Sequence, residues 1–168
     1  WKKPNLKASE NMQPKEDDDF NDTALGWQWQ FEGPYSHYWY FCDAKKSKLR
    51  LYGIQQPEDY HNLADMQNTL LQKFPAENFT VTSKVKFIPN PGNKNKGEEA
   101  GFIIKGQDYA AIKFITTKEG CFLRYVNCKN AMKGGKEETL VEVPLTLTEM
   151  EKPYTQKYAV DDIPQPRH

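Results

Sequence analysis

The stretch Phe79-Thr80-Val81-Thr82-Ser83-Lys84-Val85-Lys86-Phe87 decides the fold class. Phe79, Val81, Val85 and Phe87 recur with period two, and Thr80, Thr82, Lys84 and Lys86 take the alternate places. Successive side chains of an extended strand point to opposite faces, so the pattern predicts a strand with one dry and one wet face. Half-wet strands belong to antiparallel sheets.

Downstream, Pro89 to Glu99 reads as a polar loop. Gly101-Phe102-Ile103-Ile104 and Tyr109 to Ile115 then form a pair around Gly106-Gln107-Asp108. Cys121 to Cys128 follows a turn at Glu119-Gly120, and Gly134-Gly135 marks a hairpin returning through Thr139 to Val143. Tyr154 to Val160 is a weak strand candidate in a proline-punctuated tail. Upstream, Lys48 to Tyr52 alternates with Leu49 and Leu51 inward, His37 to Cys42 is β-favouring, and Thr69 to Phe74 ends at Pro75. Residues 55 to 67 read as a long surface loop with one helical turn. About ten strand candidates, without an amphipathic helix or internal repeat, predict an all-β antiparallel sandwich or jelly roll.

Gly26-Trp27-Gln28-Trp29-Gln30-Phe31 also alternates. Burying an aromatic removes roughly 150–250 Å² from water, so Trp27, Trp29 and Phe31 are expected on the core face of a strand. The competing reading is an exposed aromatic platform for sugar rings.

The 168 residues suffice for one domain with a core, and 23 basic residues balance 23 acidic ones. The balance argues against nucleic acid, whose binders carry a basic excess. No stretch approaches the roughly 20 apolar residues of a membrane span, and none reads as a signal peptide. The chain begins at Trp1, as a processed product or a piece of a longer polypeptide would. Cys42, Cys121 and Cys128 are too few for a disulfide framework, and Cys121 and Cys128 fall on opposite faces of one strand; all three read as small buried hydrophobes.

Residues 1–18 read as a linker or tail, 19–160 as the sandwich and 161–168 as a tail. Asp17, Asp18 and Asp19 close the linker as a solvated turn; they are also the weak candidates for a structural calcium, which would need oxygen ligands from elsewhere. Asn21-Asp22-Thr23 and Asn78-Phe79-Thr80 match the glycosylation sequon. No nucleophile, metal or nucleotide motif is present, so no catalytic residue is assigned. Aromatics make up 13% of the chain. Tyr35, Tyr38, Trp39 and Tyr60 are the carbohydrate-contact candidates, with Tyr40 beside them, because an aromatic face suits the apolar side of a pyranose; edge-covering in the sandwich is the alternative.

Several segments, in order, resemble the concanavalin A-like C-terminal domain of family 43 glycoside hydrolases, the bacterial β-xylosidases and arabinofuranosidases. Asp19-Phe20-Asn21 and Leu25-Gly26-Trp27-Gln28-Trp29-Gln30 resemble its opening. Leu49-Arg50-Leu51-Tyr52, Asn68-Thr69-Leu70-Leu71-Gln72-Lys73-Phe74-Pro75-Ala76 and Phe79 to Lys84 continue it. So do Gly97 to Ile104, Gly106 to Ala110, Cys128-Lys129 and Lys133-Gly134-Gly135-Lys136, while Trp1-Lys2-Lys3-Pro4-Asn5 resembles the linker leaving the catalytic propeller. The resemblance implies an accessory sandwich that docks on a catalytic β-propeller absent from this chain and helps shape a pocket for xylan- or arabinan-derived oligosaccharides. It implies a periplasmic or secreted parent protein. An independent carbohydrate-binding module is the alternative. Beyond Val143-Pro144-Leu145 the resemblance does not align the closing strands, so the aromatic that completes the pocket in this family has no assigned position here.

Overall fold

A computed structural model describes residues 15–90, 97–150 and 152–160. Trp1 to Asn5 and the tail from residue 161 lie outside the described residues. Among the described residues there are ten strands, all paired antiparallel, and the single α-helix is the one turn α1 (Leu147–Met150). The short strands β1 (Gln30–Phe31) and β4 (Leu70–Leu71) pair with each other, as do β2 (Tyr40–Asp43) and β3 (Lys48–Leu51). The centre is a four-stranded sheet in chain order: β6 (Glu99–Lys105), β7 (Tyr109–Thr116), β8 (Cys121–Cys128) and β9 (Glu137–Leu145). The strand that decides the fold class is β5 (Phe79–Val85), half-buried and exposed residues alternating along it. It pairs over its whole length with β10 (Tyr154–Val160), from Val85 opposite Tyr154 to Phe79 opposite Val160. The expected all-β sandwich is therefore observed, and the weak strand candidate after residue 153 supplies the partner of β5.

Register fixes what each face of the central sheet carries. On the first face Tyr109, Ala111, Lys113 and Ile115 of β7 lie opposite Lys105, Ile103, Gly101 and Glu99 of β6. Across β8 the same four face Cys128, Val126, Arg124 and Phe122. One end of this face is dry: Tyr109, Ala111, Val126 and Cys128 pack with Leu63 and Ala131. The second face carries Phe114, fully buried, and Phe87 stacks on it with ring centroids 6.0 Å apart. Val85, Ala100, Cys121, Leu123 and Leu145 surround that pair, so β5 and the segment after it form the covering layer. Cys128 and Cys121 belong to opposite faces, as their odd spacing requires, and all three thiols are free.

The loop covering the dry end is held by polar contacts. Asn62 is buried and donates from Nδ2 to the carbonyls of Ala131 (3.1 Å) and Gly135 (2.8 Å). Its Oδ1 accepts from Ala64 N at 2.8 Å, capping the 3-10 turn Leu63–Asp65, the helical turn expected within 55–67. The β8–β9 connection reverses at Gly134, whose φ of 74° lies where a side chain would be strained.

The tryptophan stretch departs from expectation. Only Gln30 and Phe31 are strand, Phe31 is buried and Trp29 half-buried, but Trp27 is fully exposed. The reason is a turn: Trp29 N donates to Gly26 O at 3.1 Å, which breaks the extended path that alternation assumed. The indole Nε1 of Trp29 and the amide of Gln28 then both reach one acceptor, Asp18 Oδ2, at 2.7 and 3.1 Å. Two smaller departures lie nearby. His37–Trp39 is a 3-10 turn capped by Ser36 in place of a strand, and Leu51, expected inward, is exposed because a two-stranded ribbon buries little on either face.

Phe114 is the best-buried large side chain of the second face. Phe114→Ala should cost about 3–5 kcal/mol, through lost burial and the cavity left behind. Urea unfolding would show a lower midpoint at unchanged slope.

Candidate functional site

The sequence brings Tyr35, Tyr38 and Trp39 together because they share one loop, and Phe31 is the hub they gather on. Tyr35 stacks on Phe31 with centroids 5.3 Å apart and planes at 18°, while Trp39 meets it edge-on at 5.9 Å. Tyr40 adds a third contact at 5.7 Å. Tyr35 and Trp39 therefore spend ring surface on packing. Tyr38 differs: its side chain is 88% exposed, and its backbone N–H donates to Ser36 Oγ at 3.3 Å. Burial, with Tyr35 beside it, pushes the Tyr40 hydroxyl up.

Asp18 is the only one of the three calcium candidates with a structural task that its contacts define. Its Oδ1 accepts from Phe20 N at 2.8 Å and its Oδ2 holds Gln28 and Trp29. Phe20, at φ 52°, is thereby kept in a left-handed conformation, with its ring 5.7 Å from that of Trp29. Lys15 and Glu16, at the end of the expected linker, also join the domain, their carbonyls accepting from Gln72 Nε2. Among the described residues no three His, Cys, Asp or Glu side chains come together as a metal site. Burial first, and then the Asp18 charge, push the Cys42 thiol up.

Tyr60 belongs to a different group, one that pattern reading did not assemble. It is half-buried beside the carboxylates of Glu99, Glu137 and Asp65. Between Glu99 and Glu137 lies Lys113, 5% exposed, with Nζ 2.8 Å from Glu99 Oε2 and 2.5 Å from Glu137 Oε1. The Tyr109 hydroxyl donates to Glu137 Oε2 at 2.8 Å and accepts from Leu63 N at 3.3 Å. Nearby, Lys105 pairs with Glu32 and donates to Ala64 O. A signal for this cluster was present: Lys113 is the single charge in the otherwise apolar run Tyr109 to Ile115, at an inward position. Its two acids come from β6 and β9, and no local pattern could pair them.

Both carboxylates hold the same ammonium, which occupies the space between them that a glycosidic oxygen and water would need for hydrolysis. The cluster ties β6, β7 and β9 together through one buried ammonium.

Burial, with the neighbouring carboxylates, holds the hydroxyls of Tyr60 and Tyr109 above the ordinary tyrosine value; for Tyr109 the hydrogen bond to Glu137 adds to it. A raised folded-state pKa stabilises the fold below the unfolded value, and that contribution is lost as pH rises through the folded one. Stability should therefore hold through the neutral range and fall at strongly alkaline pH. In phenolate absorbance, Tyr60 and Tyr109 should ionise late, together with unfolding, and Tyr109→Phe should remove part of that late step.

A family model described as the beta xylosidase C-terminal concanavalin A-like domain matches residues 17–162. The match runs past residue 145, where the resemblance in sequence stopped, and takes in β10. The curated protein "Non-reducing end alpha-L-arabinofuranosidase BoGH43B" of Bacteroides ovatus is 27% identical over 159 residues, covering 90% of this chain and 28% of its own length. The chain thus spans less than a third of that relative. No solved structure matches significantly. With a family model covering the fold from Asp17 through β10, this chain belongs to the C-terminal concanavalin A-like domain family of the family 43 glycoside hydrolases.

Proposed function

We propose that this chain serves as the accessory β-sandwich of a family 43 glycoside hydrolase. It docks on a catalytic propeller and helps shape a pocket for short xylan- or arabinan-derived oligosaccharides. Family membership supports the accessory role, and a relative more than three times longer leaves ample chain for a catalytic unit. The observation that carries the docking reading is Trp27. Its side chain is fully exposed on a turn that Asp18 anchors through two hydrogen bonds, from Gln28 and Trp29. A solvated indole on an anchored turn gains apolar burial at little entropic cost when a partner covers it, and tryptophan leads among residues that dominate interfaces.

An independent binding module finds support in the exposed Tyr38 ring. Tyr35 stays 51% exposed although it stacks on Phe31, while Trp39 is half-buried against that ring.

Titrating a separately produced family 43 propeller with this chain tests the docking role. Saturable association should weaken roughly 30-fold or more in Trp27→Ala, the loss of about 2 kcal/mol expected for a central interface tryptophan. Association unchanged by Trp27→Ala would reject Trp27 as the docking residue.

A further inference from the structure

Charge is sorted along this chain. Residues 16–32 hold Glu16, Asp17, Asp18, Asp19, Asp22 and Glu32 and no lysine or arginine. Residues 33–57 hold Lys45, Lys46, Lys48 and Arg50 against the single acid Asp43. The two segments fold against each other. Phe31 meets the rings of Trp39 and Tyr40, and Asp18 lies close enough to Cys42 for its charge to act on that thiol. Acids and bases therefore gather side by side in a chain whose net charge is zero.

They do not neutralise each other. In the ribbon of β2 and β3, Cys42 and its cross-strand partner Leu49 face inward. Alternation turns their neighbours outward: Phe41 opposite Arg50, and Asp43 opposite Lys48. Lys46 pairs with Asp43 at 3.4 Å. Among the described residues no carboxylate pairs with Lys45, Lys48 or Arg50, and no base pairs with Glu16, Asp17, Asp19 or Asp22. All of these side chains belong to exposed residues.

We propose that the acidic segment and the β2–β3 ribbon form one self-complementary interface, on which a second copy of this chain docks about a two-fold axis, acids of each copy against bases of the other. The pairing goes beyond the docking role and requires no propeller.

The charge pattern selects the partner. In a two-fold pair the same patch meets itself reversed, so acid at one side and base at the other bring unlike charges together twice. A partner of one sign throughout, such as a nucleic acid or an anionic lipid surface, would gain from the ribbon and be repelled by the acids. Like charges facing each other across an interface are costly. A second copy carries both signs in the matching arrangement. Exposed ion pairs alone contribute little, so apolar contact must add to them. Tyr38 and Phe41, exposed on the same ribbon, supply it, and aromatic rings dominate interfaces. Surface charges act chiefly on association rate and are screened by salt, so the dimer is reversible and salt-sensitive.

Sedimentation of this chain across protein concentration, at low and at high salt, tests the pairing through charge reversal. The wild-type chain should form a dimer at low salt that dissociates as salt rises. The double variants Asp17→Lys/Asp19→Lys and Lys48→Glu/Arg50→Glu should each lose self-association by roughly 100-fold, because like charges then face each other at both contacts. Mixed in equal amounts they should restore a dimer with one chain of each kind, since reversed segments then face each other and so do native ones. All four positions are exposed, and circular dichroism should show each variant folded. A wild-type chain that stays monomeric at low salt would overturn the proposal. So would a dimer that ignores salt and survives both double substitutions, or folded variants that fail to pair when mixed. Asp18 and Trp27 are untouched and no propeller is in the cell, so none of these results bears on docking.

Discussion

Lys113 carries a full charge into the middle of an apolar strand, and the first face of the sheet is arranged around that cost. Taking one ammonium out of water costs several kcal/mol unless paired and hydrogen-bonded groups replace the water. Glu99 from β6 and Glu137 from β9 provide the pairing, so strands at both edges of the sheet are tied to the same nitrogen in β7. Tyr109 extends the tie by donating to Glu137 and accepting from Leu63, which links the loop over the dry end to the charges at the polar end. Removing one member of such a set leaves an uncompensated buried charge, at about 3–5 kcal/mol. The register of four strands and the seat of the covering loop thus depend on one ion-paired side chain.

The second face follows simpler physics, and it was the more legible half. In Phe79 to Phe87, period-two alternation correctly marked the dry side that Val85 and Phe87 press onto Phe114. The odd spacing of Cys121 and Cys128 likewise assigns them to opposite faces of β8, where they are found. The same rule misled at Trp27. Alternation reports direction only while the backbone stays extended, and the Gly26–Trp29 turn turns Gln28 and Trp29 toward one carboxylate. Asp18 was legible only as a member of an acidic run; its role depends on a ten- and eleven-residue return that no local pattern encodes.

The candidate sites divide along the same line. Tyr35, Tyr38 and Trp39 were grouped correctly because they share a loop, yet their packing on Phe31, which decides how much ring is free, follows from a short β1 that sequence could not delimit. Tyr60 was grouped with them by residue type alone, and the fold places it among carboxylates instead. The exposed Trp27 on its anchored turn was not legible from residue type either, since alternation placed it in the core.

An accessory domain must engage its partner through a defined surface, and amide hydrogen exchange reports which. The measurement is exchange on this chain, free and with a family 43 propeller added. New protection centred on Gly26 to Trp29 is expected, with the central sheet from Glu99 to Leu145 unchanged. Protection across Gly101, Lys113 and Arg124 with none at Gly26 to Trp29 would contradict it.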